Sequence, residues 1–137
     1  MGLGDEISSA VKWDSPSVDM QGTLRMATTK MADSGVSALV IKNGDEVAGI
    51  VTDMDLIRCI AKGDDLDGVP VSSFMTSCEI ISGKKIKTPC IQLDETQSVK
   101  NAIGTMDLAG VRHLLVTGEK GAGIISVQDL LRLVVEK

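Results

Sequence analysis

Two ten-residue segments constrain this chain more than any other feature: Gly49-Ile-Val-Thr-Asp-Met-Asp-Leu-Ile-Arg58 and Gly123-Ile-Ile-Ser-Val-Gln-Asp-Leu-Leu-Arg132. Five of the ten positions are identical, and Val/Ile, Thr/Ser and Ile/Leu exchanges account for three more. Such a recurrence marks a tandem repeat, built from supersecondary units that cannot bury their apolar faces alone. Both copies place a hydroxyl three residues before a carboxylate, where a β-rich run gives way to a helical one. These junctions are the candidate functional loci.

The duplication runs well beyond those segments. Ile7-Ser-Ser-Ala-Val11 resembles Val71-Ser-Ser-Phe-Met75, and Ser15-Pro-Ser-Val-Asp-Met20 resembles Thr88-Pro-Cys-Ile-Gln-Leu93. Thr23, Leu24, Ala27 and Met31 match Ser98, Val99, Ala102 and Met106 at a constant offset of 75. Gly35-Val-Ser-Ala-Leu-Val-Ile41 matches Gly110-Val-Arg-His-Leu-Leu-Val116. The repeats are placed at residues 7–66 and 67–137.

Leu24, Ala27 and Met31 have the i, i+3, i+7 spacing of one helical face, which predicts a helix over 23–33 stopped by Gly35. Residues 38–41 and 47–51 are short β-rich runs about Asn43-Gly44, a hairpin signal. A second helix is predicted over 53–61, with Leu56, Ile57 and Ile60 on one side. The second repeat predicts a helix near 98–108, strands at 112–116 and 122–126, and a helix over 127–136. Each repeat is thus a small sheet with two helices, and the fold class is α/β (α+β).

The second copy carries nine extra residues, because Met75 to Pro89 spans fourteen positions where Val11 to Pro16 spans five. They fall in about 77–87, whose Ser82-Gly83-Lys84-Lys85 reads as a turn excursion. Lys84, Lys85 and Lys87 read as a solvated turn, with phosphate contact as the alternative.

Composition narrows the function. Trp13 and Phe74 are the only aromatic residues, so the core must come from Val, Ile, Leu, Ala and seven Met, and base stacking is poorly supplied. A net charge of −5 also argues against nucleic acid, whose phosphate backbone needs a basic surface. No apolar run approaches the roughly 20 residues of a bilayer span, and the acidic start lacks an apolar signal region, so no membrane role is expected. Cys59, Cys78 and Cys90 lack CxxC spacing and read as reduced cytoplasmic thiols, with a Cys78–Cys90 disulfide as the disfavoured alternative. One histidine and scattered cysteines give no metal-ligand spacing. No P-loop, GxGxxG, HExxH or nucleophile–base pair is visible, so no cofactor and no catalytic activity are expected.

The Gly-h-h-[Thr/Ser]-x-x-Asp-h elements at 49–56 and 123–130 (h, hydrophobic), the strands at 35–41 and 110–116 and the segment Val71-Ser-Ser-Phe-Met-Thr76 together resemble the cystathionine β-synthase (CBS) domain. The chain from about 7 to 136 is similar to a tandem pair of such domains, a Bateman module. It departs from the family pattern in having Val40 and Leu115 where a Pro is frequent, and in the insertion. The resemblance implies two repeats about a pseudo-twofold axis, clefts that bind adenine nucleotides or adenosyl compounds, and homodimerisation through helices.

The same resemblance implies the lining of the clefts. Ser126 and Asp129 would be joined by Ser17, Val18, Val36, Ser37 and Ala38; Thr52 and Asp55 would be joined by Cys90, Ile91, Val111, Arg112 and His113. Each Asp would accept from the hydroxyls of a ribose diol, and the hydroxyl and helix-start amides would reach ribose or phosphate oxygens. Residue chemistry alone also allows the plain reading that both motifs are helix N-caps. Arg112 and His113 suit phosphate by charge and geometry, with ordinary strand packing as the alternative. The expected function is a ligand-sensing module for AMP, ADP or ATP that signals to a separate protein. The alternatives are a sensor of S-adenosylmethionine or a related adenosyl ligand, and a dimerisation module without ligand.

Overall fold

The structure, a computed structural model, describes residues 3–77 and 92–136. The turn excursion expected over most of 77–87, and with it Cys78 and the lysines there, lies outside the described residues. Packing divides the chain into two units, one holding residues 15–77 and the other 3–14 with 92–136.

In the first of these, β1 (Ser17–Asp19) leads to α1 (Leu24–Ser34), β2 (Ala38–Asn43), β3 (Glu46–Thr52) and α2 (Asp53–Ala61). A 3-10 turn over Val71–Ser73 and a short β4 (Thr76–Ser77) complete it. The sheet order is β1-β2-β3-β4 among the described residues, with β1 parallel to β2 and the other pairs antiparallel. The second unit repeats this with β5 (Gln92–Asp94), α3 (Val99–Ala109), β6 (His113–Gly118), β7 (Gly121–Ser126) and α4 (Val127–Val135). Its sheet order is β5-β6-β7, and a 3-10 turn over Ile7–Ala10 packs with it.

The helix, hairpin and helix predicted for each repeat are present twice, with ends within two residues of those predicted, and β1 and β5 precede them. Gly35 and Gly110 end α1 and α3 at φ of 66° and 69°, a left-handed turn that β-carbon-bearing residues avoid. The cores are built from matching positions. Leu39, Ile41, Val51, Leu56, Cys59 and Val71 in one unit correspond to Leu114, Val116, Ile125, Leu130, Leu133 and Ile7 in the other. The helix over 53–61 turns differently from expectation: Leu56 and Cys59 are buried, whereas Ile57 and Ile60 face outward. At 100° per residue, Leu56 and Cys59 form one stripe and Ile57 and Ile60 the next, so only one can meet the sheet. The methionines also divide, with Met31 and Met106 buried and Met26 and Met54 exposed.

Each core is closed by a segment that precedes the other repeat in sequence. Residues 66–77 follow the first repeat's helices and pack on them, while residues 3–14 pack on the second repeat. The reason lies in the helix starts, whose first amides have no partner inside the helix. The amides of Leu24 and Arg25 donate to the carbonyls of Val69 and Leu66 at 2.8 and 2.9 Å. Those of Val99 and Lys100 donate to Asp5 and Leu3 at the same two distances. The third amide of each helix goes to its own cap, Met26 to Thr23 Oγ1 and Asn101 to Ser98 Oγ. The Arg25 guanidinium also grips Asp67 through Nε (2.7 Å) and Nη2 (3.1 Å), which holds that carboxyl below its usual range.

These lead-in segments explain the first residue of the repeated motif. Beyond the 3-10 turn each segment crosses β3 or β7 at the motif glycine: Thr76 lies opposite Ile50, and Lys12 opposite Ile124. A β-carbon at Gly49 would collide with the Thr76 carbonyl oxygen, and one at Gly123 would sit 2.7 Å from that of Lys12. Gly49→Ala and Gly123→Ala are each expected to destabilise the protein by about 1–3 kcal/mol, because backbone must shift to admit one methyl group. Gly104→Ala, in the middle of α3 with open space where the methyl would sit, should instead be neutral or stabilising by up to about 1 kcal/mol. Urea denaturation of the three variants measures the contrast.

Candidate functional site

The two hydroxyl–carboxylate motifs sit where β3 enters α2 and where β7 enters α4. Antiparallel pairing places a strand start beside each one: Ala38 lies opposite Thr52, and His113 opposite Ser126. The amide of Asp53 donates to the Ser37 carbonyl and that of Val127 to the Arg112 carbonyl, each at 2.9 Å. The end of one strand, the start of its neighbour and the first turn of a helix are thereby held as one corner in each unit.

Both corners are capping boxes. Asp55 Oδ2 accepts from the Thr52 amide at 2.8 Å and from the Thr52 hydroxyl at 3.1 Å. Asp129 Oδ2 accepts from the Ser126 amide and hydroxyl, both at 2.9 Å, and Ser126 Oγ accepts in turn from the Asp129 amide. The plain cap reading is therefore correct as far as Oδ2 is concerned. The other oxygen is differently placed. Oδ1 of Asp55 has Arg58 Nη1 at 3.4 Å, and Oδ1 of Asp129 has Arg132 Nη1 at 3.4 Å and Lys12 Nζ at 3.8 Å. These are long contacts from side chains that are themselves more than half exposed. An ionised carboxylate oxygen has two acceptor positions, so Oδ1 keeps capacity for a ligand hydroxyl while Oδ2 holds the helix start. The two carboxylates differ in burial: Asp129 is 6% exposed and Asp55 18%.

The remaining predicted residues divide by unit. Ser17 and Val18 lie on β1 beside Val40 and Ile41; Val18 turns its side chain into the core, whereas Ala38, also buried, alternates with Leu39 onto the other face of the sheet. Val18 therefore offers a ligand main-chain groups only. Val36 and Val111 are half-buried at the margins of their cores. In the second unit Arg112 exposes its side chain, whereas His113 is half-buried. Cys90 and Ile91 lie outside the described residues.

Three cations at the corners were missed from the sequence. Arg58 and Arg132 are legible in retrospect, since both repeats end the motif with Arg three residues after the Asp, a helical neighbour. Lys12 carries no such signal, because only the exchanged lead-in segment brings it to Asp129.

Other features offer less. Cys59 is buried, and burial pushes its thiol up, away from the thiolate a nucleophile needs. The open depression bounded by Glu6, Asp94, Glu95 and Glu119 is acidic and would repel phosphate. Among the described residues no three His, Cys, Asp or Glu groups could hold a metal ion, and no helix is long and apolar enough to cross a membrane.

The family model described as CBS domain matches this chain twice, at residues 7–62 and 80–136. An uncharacterized protein of Methanopyrus kandleri is 31% identical over 108 residues, which are 76% of this chain and 50% of that protein. The chain spans about half the length of the curated relatives it matches. A conserved protein from Pyrococcus horikoshii has the same fold, with a TM-score of 0.80 and 24% identity over 100% of this chain and 97% of that one. A CBS domain protein from Pyrobaculum aerophilum, solved in complex with AMP, gives a TM-score of 0.74 at 22% identity, covering 96% and 99% of the two chains.

The capping role alone carries a stability prediction. Asp55→Ala should cost about 1 kcal/mol, the usual worth of a cap. Asp129→Ala should cost more, about 2 kcal/mol, because it leaves the Ser126 amide and hydroxyl unpaired at the more buried corner. Thermal or urea unfolding of the two variants tests the order.

Proposed function

The chain belongs to the CBS domain family, and on that premise we propose that it is a non-enzymatic sensor of an adenine nucleotide (AMP, ADP or ATP) that passes its occupancy to a separate protein. The observation that carries this reading is the division of labour within each carboxylate. Oδ2 is committed to the helix start, while Oδ1 has, among the described residues, long contacts from cationic side chains that are more than half exposed. A ribose diol approaching Thr52–Asp55 or Ser126–Asp129 finds a fixed acceptor, a hydroxyl and a helix N-terminus that favours phosphate. Main-chain groups at Ser17, Val18, Val36, Ser37 and Ala38, and at Ile91 and Val111, serve the adenine edge without needing particular side chains. Arg112 and His113 serve phosphates, and Cys90 completes the lining. The AMP complex of the Pyrobaculum aerophilum relative supports adenine nucleotide as the ligand class.

The protein also acts as a homodimer in this reading. Helices α2 and α4 expose the same apolar stripe at matching positions, with Ile57 55% and Ile60 45% exposed on one and Leu131 53% and Val134 43% on the other. Water-facing pairs of large aliphatic residues, recurring on both repeats, suit a self-complementary contact between copies.

A thermal-shift panel with AMP, ADP, ATP, S-adenosylmethionine and GTP tests the ligand. Adenine nucleotides are expected to stabilise the wild type, by about 2.7 kcal/mol at a hundred times the dissociation constant. Asp55→Ala or Asp129→Ala should abolish the shift. Stabilisation by S-adenosylmethionine alone would transfer the assignment to an adenosyl ligand without phosphate, and no shift with any compound would reduce both motifs to helix caps. Sedimentation of the wild type and of the double variant Ile57→Glu/Leu131→Glu tests the assembly: a dimer is expected for the first and a monomer for the second, and a dimeric double variant would contradict the assignment.

A further inference from the structure

The chain contains two asparagines, Asn43 and Asn101, and both are exposed. They differ in the backbone amide that follows each one. Asn101 lies in the first turn of α3, where the Ala102 amide donates to the Ser98 carbonyl at 3.0 Å. Its side-chain amide donates to Gln97 Oε1, also at 3.0 Å. Asn43 is the last residue of β2, paired with Glu46, and Gly44 begins the two-residue turn beyond that closing pair. The Gly44 amide therefore stands outside the ladder. Gly44 takes a left-handed φ of 64°, and the space where a β-carbon would sit is open. With no β-carbon, residue 44 leaves its nitrogen unshielded from the Asn43 side chain. The one Asp-Gly pair, Asp67-Gly68, carries a similar local signal but is held differently. Arg25 grips the Asp67 carboxylate and keeps it ionised, and the Gly68 amide donates to the Asp65 carbonyl at 3.2 Å.

We propose that Asn43-Gly44 is a modification site, at which the folded chain converts spontaneously to aspartate and isoaspartate with water as the only co-reactant. The Gly44 nitrogen attacks Asn43 Cγ. The N–Cγ bond forms, the Cγ–Nδ2 bond breaks, and ammonia leaves with the Gly44 amide proton, giving a five-membered succinimide. Water then opens the ring at one of its two carbonyls. Attack at Cγ gives aspartate; attack at the main-chain carbonyl gives isoaspartate, with the chain now running through Cγ. Either product sets a carboxylate directly opposite Glu46 and beside Asp45, and like charges on paired residues destabilise a hairpin. Isoaspartate also adds a methylene to the main chain at the pair that closes the turn. The equivalent turn of the second repeat, Glu119-Lys120, has no side-chain amide and escapes the reaction. The first repeat alone carries this lability, at the end of the hairpin away from the Ala38–Thr52 pair, whether or not the corners bind a nucleotide.

Incubation of the wild-type protein in mildly alkaline buffer, folded and in parallel unfolded in urea, tests the assignment. Peptide mass spectrometry follows each site over time, and methylation by a protein isoaspartyl methyltransferase counts the isoaspartate. Folding is expected to slow Asn101 at least about tenfold more than it slows Asn43, because the helical amide must open locally before it can attack and the turn amide need not. Asp67 should be protected by folding as Asn101 is. The variant Asn43→Gln should lose most of the methyl acceptance of the aged folded protein. Protection of Asn43 as strong as that of Asn101, or methyl acceptance undiminished in Asn43→Gln, would overturn the site. Conversion of Asp67 unprotected by folding would overturn the structural distinction between the two glycine pairs.

Discussion

A single carboxylate oxygen in each repeat organises the rest of the structure. Oδ2 of Asp55 or Asp129 takes both the amide and the hydroxyl of the residue three positions earlier, so the last strand residue and the first helical turn are locked to each other. The adjoining strand is tied to the same point through the carbonyls of Ser37 and Arg112. With that corner fixed, the helix lies across its sheet in one orientation, and Leu56 or Leu130 enters the core. The constraint also bears on the chemistry, because Oδ2 is committed to the helix start while Oδ1 faces the exposed Arg58 or Arg132 side chain. A cap and a binding group are usually rival explanations for such a motif; in the function proposed above, the two oxygens of one side chain divide the roles.

The second constraint is the exchange of lead-in segments. Helix starts need partners for their free amides, and the chain supplies them from residues 3–14 and 66–77. The exchange requires a crossing so close that only glycine is accommodated at 49 and 123. It also makes the N-terminal segment part of the second repeat's core, since Ile7 is fully buried there among Val99, Leu114 and Leu133.

Much of this was legible in the sequence. The doubled motif, the Asn43-Gly44 hairpin and the Gly35 stop identify the elements and their order, because each rests on local backbone chemistry. The hydroxyl and carboxylate were found for the same reason. Periodicity failed at α2, where Leu56, Ile57 and Ile60 are close in angle and only packing against a specific sheet decides which turn inward. Lys12 could not be found at all, because its proximity to Asp129 arises from pairing between residues 12 and 124. A repeat seen in sequence also gives no sign that its lead-in packs on the other copy.

Whether one carboxylate caps a helix and binds ligand at the same time is read by titrating AMP into the 15N-labelled protein and following the backbone amides. Saturable shifts are expected at residues 52–55 or 126–129, with the Thr52 and Ser126 amides still protected from hydrogen exchange in the complex. Saturable binding that leaves both segments unmoved, or that opens the capping amides to exchange, would contradict it.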